Sequence, residues 1–231
     1  MSADLGRVFS GVGAVLLDFD GPVCSIFAGY PAPQVAAELV ELLRRRGADV
    51  PPDLASEPDP LEVLRRTSAA GAYDTTRAVE DALCAAERRA VETAEPTPYG
   101  REVIVAAQQA GMPVAVVSNN SAGAVSAYLA AHRLAGYVSP VVGRAYADPD
   151  RMKPNPEPIL QAVRALGQLP ARCVLVGDSL SDIEGARAAG VAVIGYANRP
   201  SKVDAFRLAG AGAVVTSMGE IAEVLIDRAE G

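Results

Sequence analysis

The sequence predicts an α/β fold in which a doubly wound parallel sheet carries a small all-helical subdomain inserted after its first strand. Three observations lead there. Short apolar runs rich in β-branched residues recur along the chain, amphipathic helical patterns separate those of the second half, and residues 24–96 hold helical patterns only.

The strongest runs are Ala14-Val15-Leu16-Leu17, Val114-Ala115-Val116-Val117, Cys173-Val174-Leu175-Val176 and Val191-Ala192-Val193-Ile194. Each is short and lacks the polar alternation of a half-exposed strand, the pattern of parallel strands buried on both faces. Tyr137 to Val142 and Ala213 to Thr216 are weaker strand candidates. Helices are expected at about Tyr99–Ala110, Ala122–Arg133, Glu157–Leu166, Ser181–Ala189, Lys202–Ala209 and Gly219–Arg228. Strands alternating with such helices imply a parallel sheet covered on both sides. Between the first strand and Pro96, helical stretches at Pro33–Arg46, Leu61–Ala70 and Thr75–Thr93 are punctuated by Pro51-Pro52-Asp53 and Glu57-Pro58-Asp59-Pro60. The expected division is a core of residues 1–23 and 97–231 and a helical insert of residues 24–96. Its linkers fall near Cys24–Ala32 and Ala94–Pro98.

The chain of 231 residues is long enough to bury a sizeable core. Its formal net charge of −7 argues against a nonspecific nucleic-acid binder, which needs a basic surface to displace counterions. An anionic small molecule remains compatible, because a metal and one lysine can reverse the sign inside a cleft. Cys24, Cys84 and Cys173 are odd in number and lack metal-ligand spacing, so reduced thiols are expected rather than a disulfide framework. No apolar run is long enough to span a membrane, and Met1 to Gly13 lack a signal-peptide pattern. The expected location is the cytoplasm.

Four stretches carry chemistry. The first strand ends in Asp18-Phe19-Asp20-Gly21, whose carboxylates, two residues apart, share one face at the carboxyl edge of the sheet, where open α/β sheets bind ligands. Carboxylates held so close repel unless a proton or a divalent cation is shared; a plain polar turn with Gly21 at the bend is the alternative. Gly177-Asp178-Ser179-Leu180-Ser181-Asp182 follows another buried strand and opens a helix. Helix capping explains one of its polar residues but not two carboxylates and a glycine. Ser118-Asn119-Asn120 lies at a strand-to-helix turn, where a hydroxyl and backbone N–H groups form either a phosphate cradle or a helix cap. Lys153-Pro154-Asn155-Pro156 gives an ammonium a rigid origin before a helix.

In this order and placement the four stretches resemble the four motifs of the haloacid dehalogenase-like hydrolase superfamily, with its Rossmann-like core. Asp18-Phe19-Asp20-Gly21 is similar to the first motif, Ser118 to the second, Lys153 to the third, and Gly177-Asp178 with Asp182 to the fourth. The insert is similar to the helical cap of the phosphoglycolate phosphatase and β-phosphoglucomutase branch.

The resemblance implies an Mg2+-dependent phosphatase for a small phosphorylated metabolite. Asp18 would be the nucleophile that forms an aspartyl-phosphate, and Asp20 the general acid and then base. Asp18, the Asp20 carbonyl and Asp178 would hold the metal, with Asp182 acting through water or on Lys153. Ser118, the Asn119 amide and Lys153 would hold the phosphoryl oxygens. Dehalogenases of the family lack the second aspartate of the first motif, so Asp20 disfavours carbon chemistry. A phosphomutase of the β-phosphoglucomutase type is the alternative, and a non-catalytic phosphate-binding module a third reading. No nucleic-acid or membrane partner is expected.

The sequence departs from the branch after Gly21, where Pro22-Val23-Cys24-Ser25-Ile26-Phe27 stands; proline removes an amide donor there, and a differently shaped flap beside the substrate is expected. His132 reads as a helix-end residue and Arg44-Arg45-Arg46 as a solvated helix end. Arg65-Arg66 and Arg77 are candidates for a substrate contact from the insert, and Tyr196-Ala197-Asn198-Arg199 for one from the core.

Overall fold

The computed structural model describes residues 3–71 and 73–230; Met1 and Ser2, part of the N-terminal stretch read above, lie outside that range. Among the described residues, six strands form one parallel sheet: β1 (Ala14–Leu17), β4 (Val114–Val117), β5 (Val138–Val142), β6 (Cys173–Gly177), β7 (Ala192–Tyr196) and β8 (Ala213–Val215), in the order β5-β4-β1-β6-β7-β8. The chain leaves β1 for β4 and β5 on one side, then returns to the other side of β1 for β6, β7 and β8. The point of reversal at β1 is where a doubly wound sheet opens a crevice at its carboxyl edge.

Why these runs become strands follows from burial. Ala14, Val15, Leu16 and Leu17 are all fully buried, between Val114–Val116 on one side and Cys173–Val176 on the other. Val15 and Leu17 join one core with Val114, Val116, Val174 and Val176, whereas Ala14 and Leu16 join the opposite one with Ala115, Val117 and Leu175. Burying one such valine or leucine is worth about 1.5–3 kcal/mol, so a polar residue on either face of β1 would be costly.

Helices α6 (Gly100–Gln109), α7 (Ala122–Ala131) and α11 (Met218–Glu230) cover the first face with α1 (Ala3–Phe9). Helices α8 (Glu157–Ala165), α9 (Leu180–Ala188) and α10 (Lys202–Leu208) cover the second. Helix α1 was not expected: seven residues around Gly6 are too short for a clear helical period, and Leu5 and Phe9 are ordered by packing on the sheet.

Residues 24–96 form α2 (Ala32–Arg45), α3 (Pro52–Ala55), α4 (Pro60–Ala69) and α5 (Tyr73–Val91). The buried side of α2 is Val35, Ala36, Leu39, Val40 and Leu43, the stripe that a 3.6-residue period predicts. Asp59 caps α4 by accepting from the Leu61 N–H at 2.8 Å, and prolines start α3 and α4, where a missing N–H is harmless. Helix α3 lies where punctuation alone was read. The two linkers also pair as an antiparallel ribbon of β2 (Cys24–Ser25) and β3 (Glu95–Pro96), which two-residue strands do not announce in sequence.

Gly143, just after β5, lets the chain pass against the start of α7. A Cβ there would lie 2.2 Å from the Ala122 backbone nitrogen. Gly143→Ala is expected to lower unfolding free energy by about 1–3 kcal/mol in a urea titration, the usual cost of overpacking. An unchanged midpoint would show that the turn relaxes freely.

Candidate active site

Strand register continues past β1, the Asp18 N–H donating to the Val176 carbonyl at 2.9 Å. Side chains then alternate. Phe19 turns into the core, edge-on to Tyr128 with ring centroids 5.2 Å apart, and Asp18 and Asp20 open into one cavity of about 380 Å³. Ser118, Asn119, Lys153 and Asp178 line the same cavity. The Asp20 carboxylate accepts from the Ile26 N–H at 3.0 Å. Burial pushes the Asp20 carboxyl up to about 6, against the pull of that amide and with the Asp178 charge adding to the rise.

Lys153 is buried and all three of its donors are engaged. Nζ lies 2.7 Å from the Val117 carbonyl, 2.6 Å from Asp182 Oδ1 and 2.9 Å from Asp18 Oδ1. Burial alone would lower its pKa, but Asp18 and Asp182 outweigh it and hold the ammonium charged. Burial and the Asp182 charge push the Asp18 carboxyl upward, Lys153 pulls it back down, and Asp178 adds to the rise.

Glycines make this crowding possible. A Cβ on Gly21, which has φ of 112°, would lie 2.4 Å from Asp178 Cγ, and one on Gly177 would lie 2.4 Å from Asp182 Cβ. Asp182 also forms a capping box with Ser179, so helix capping and ammonium binding are served by one carboxylate. Asp182 is fully buried beneath the cavity, and its Oδ2 accepts from the Ser179 N–H and hydroxyl.

Ser118 is held in its own turn: its Oγ donates to Asn120 Oδ1 and accepts from the Asn120 N–H, both at 3.1 Å. Asn119 pairs reciprocally with the Lys153 backbone, Nδ2 donating to its carbonyl at 3.2 Å and Oδ1 accepting from its N–H at 2.9 Å. The cap of α7 is Ser121, not Ser118 or Asn119.

Carboxylate oxygens of Asp18, Asp178 and Asp182 lie within 4.8 Å of one another, a set that could hold a cation. Hydrogen bonding divides that set. Both Asp182 oxygens serve Lys153 and Ser179. Asp178 Oδ2 accepts from Lys202 Nζ at 2.8 Å and Asn198 Nδ2 at 3.0 Å, and Asp18 Oδ1 accepts from the Phe19 N–H at 2.7 Å. Among the described residues, Asp18 Oδ2 and Asp178 Oδ1 therefore have no protein partner. Two hard oxygens beside a cavity suit a divalent ion that keeps several waters.

The model of the haloacid dehalogenase-like hydrolases matches residues 12–190. The chain belongs to this family. It is 35% identical over 98 residues to phosphoglycolate phosphatase of Escherichia coli (strain K12), a match covering 42% of this chain and 38% of that enzyme. Thus the match spans well under half the length of that relative. Among solved structures, CbbY from Rhodobacter sphaeroides in complex with phosphate superposes with TM-score 0.67 at 20% identity, over 94% of this chain and 99% of that one. A HAD-superfamily hydrolase from Geobacter sulfurreducens PCA gives TM-score 0.58 at 23% identity, over 93% and 97%. At those identities the structures establish a shared fold.

Against that family background, the segment after Gly21 is anchored from the second linker. The Thr97 hydroxyl and N–H donate to the Gly21 and Val23 carbonyls. Of the arginines in the insert, Arg65 lines the cavity, Arg66 pairs with Asp53, and Arg77 and the Arg44–Arg46 run are exposed. His132 is the C-cap residue of α7, stacked on Tyr128 at 4.0 Å. Asn198 reaches Asp178, and so does Lys202, which the sequence reading passed over because a lysine opening a helix carries no signal of its own. Also unread was a buried cluster of Arg144, Glu80 and Glu87. Its signal was present: both glutamates fall on the stripe of α5 that also buries Val79, Leu83, Ala86 and Ala90. No helix of the described residues is long and apolar enough to cross a membrane.

A divalent cation is expected to stabilise the parent protein by about 2.7 kcal/mol at a hundredfold excess over Kd, and so to raise its unfolding midpoint. Asp178→Asn should lose most of that gain in a thermal shift titration with Mg2+. An undiminished rise would remove Asp178 from the ligand set.

Proposed function

We propose that the chain is a magnesium-dependent phosphatase that hydrolyses a phosphomonoester of a small metabolite through an aspartyl-phosphate on Asp18. The observation that carries this reading is the convergence of Asp18, Asp20, Ser118, Lys153 and Asp178 on one cavity. The likeness to phosphoglycolate phosphatase over part of the chain supports it.

Asp18 attacks phosphorus, the bond to the leaving oxygen breaks, and Asp20 delivers its proton to that oxygen. Asp20 then takes a proton from water, which attacks the aspartyl-phosphate and releases inorganic phosphate with Asp18 restored. The elevated Asp20 carboxyl suits both halves, since donor and acceptor forms are accessible near neutrality. The metal, held by Asp18, the Asp20 carbonyl and Asp178, would offset charge on the phosphoryl oxygens.

In the resting site Lys153 has no free donor, so it first meets the phosphoryl group as a charge. Esterification removes the negative charge of Asp18 and frees one ammonium proton for a phosphoryl oxygen. The Ser118 hydroxyl must likewise turn from Asn120, whereas the Asn119 N–H is offered by the backbone. Residues 24–96 act as the cap over the core of residues 1–23 and 97–231, and Arg65 places a cation at the cap side of the cavity.

With p-nitrophenyl phosphate and Mg2+, the parent should release phosphate steadily and Asp18→Asn should lose at least about a thousandfold in kcat. Equal rates in the two would leave only a binding role; with a sugar phosphate as substrate instead, an isomer formed without phosphate release would favour the mutase. In a screen of phosphorylated metabolites, Arg65→Met should raise KM about tenfold for substrates bearing a second anion and leave kcat nearly unchanged. An equal effect on substrates without that anion would remove Arg65 from substrate recognition.

A further inference from the structure

Among the described residues, a buried charge cluster that the proposed chemistry does not use lies between α5 and the Ser118–Ser121 turn. The Arg144 side chain is wholly inaccessible, as are those of Glu80 and Glu87 to within 1%. Its Nε and Nη2 donate to Glu80, at 3.0 and 2.7 Å to Oε1, and its Nη1 donates to Glu87 Oε1 at 2.7 Å. Isolated burial of three charged groups is costly, and breaking one partner leaves an uncompensated charge. A site that tolerates such a set has it closely satisfied.

What the cluster touches gives it a use. Arg144 Nη1 also donates to the Asn119 carbonyl at 2.7 Å, and the Arg144 N–H to the Asn120 carbonyl at 2.9 Å. Glu87 Oε2 accepts from the Ser121 N–H at 2.9 Å, at the positive end of α7. Glu87 Oε1 accepts from Asn120 Nδ2 at 3.4 Å, which turns Asn120 Oδ1 toward the Ser118 hydroxyl. Every peptide unit from 119 to 121 is thereby pinned from outside the turn, and the Ser118 hydroxyl is aimed through Asn120.

We propose that Arg144, just after β5, and Glu87 on α5, braced by Glu80, are positioning residues that order the Ser118–Ser121 turn for phosphate binding. They touch no substrate; they fix the donors that do. The ligand rests on the phosphatase reading above, the ordering of the turn does not.

The test uses full-length Glu87→Gln and Arg144→Lys, which keep size and part of the hydrogen bonding, because Arg144→Ala can fail to fold. Inorganic phosphate binding with Mg2+ is measured by calorimetry, amide exchange across residues 118–121 by mass spectrometry, and the fold by circular dichroism. Each variant should bind phosphate about tenfold more weakly, the equivalent of one lost hydrogen bond, with faster exchange confined to the turn. Glu80→Gln, one contact further away, should give a smaller change in both. Arg228→Met, which loses hydrogen bonds to the Phe9 and Val12 carbonyls far from the turn, should lower the melting temperature and leave phosphate affinity intact. Unchanged affinity and exchange in folded Glu87→Gln and Arg144→Lys would overturn the proposal, as would an equal loss of affinity in Arg228→Met. If the parent binds no phosphate, the phosphatase reading fails, and exchange at residues 118–121 alone decides whether the clamp orders the turn.

Discussion

A single buried ammonium holds the site together. Lys153 Nζ is bound by the end of β4 through the Val117 carbonyl, by the end of β1 through Asp18, and by the first turn of α9 through Asp182. Three segments distant in sequence meet at one cation, in surroundings where an unpaired charge would be expensive. Its backbone is fixed as well, because Asn119 brackets the Lys153 N–H and carbonyl. Moving any of these partners leaves a charge or a donor stranded, so the sheet edge has little freedom to rearrange. That rigidity suits the proposed phosphoryl transfer, a reaction that depends on position and charge.

Charge balance explains the remainder of the edge. Asp18, Asp20, Asp178 and Asp182 lie around one cavity or directly beneath it, with Lys153 at the centre and Lys202 at the rim. Lys153 takes up one carboxylate oxygen each of Asp18 and Asp182, while Lys202 and Asn198 hold Asp178 Oδ2. The oxygens left over belong to Asp18 and Asp178, which line the same cavity. A divalent ion is therefore matched to what the internal cations do not neutralise, and the glycines at 21 and 177 are the steric condition for that packing.

The sheet and most helices were legible because burial on both faces leaves an unmixed apolar run and burial on one face leaves a stripe. The convergence of Asp18, Ser118, Lys153 and Asp178 was legible for a different reason: each follows a strand or precedes a helix, and a parallel sheet brings such ends together. Contacts between elements were less so. Lys202 and Asn198 reach Asp178 only because β7 neighbours β6, a pairing that no local pattern encodes. Likewise Arg144 looks like an ordinary loop arginine until α5 is laid across it. The glutamates on α5 were the readable half of that pair, since a carboxylate within an apolar stripe needs a partner from elsewhere in the chain.

Helix α5 consequently belongs to two bodies. It packs with α2 and α4 in the insert, yet its buried charges are satisfied by the core turn and by Arg144. A swing of the whole insert would draw Glu80 and Glu87 from Arg144 and leave three charged groups in an apolar seam. The contact of α2 and α4 with α5 is by contrast apolar apart from the exposed Arg89–Glu38 pair. Arg65, on α4, lines the cavity from the side of the insert. The packing therefore joins the insert to the core by charge along α5, because among the described residues only there do buried carboxylates of the insert find their partners in the core.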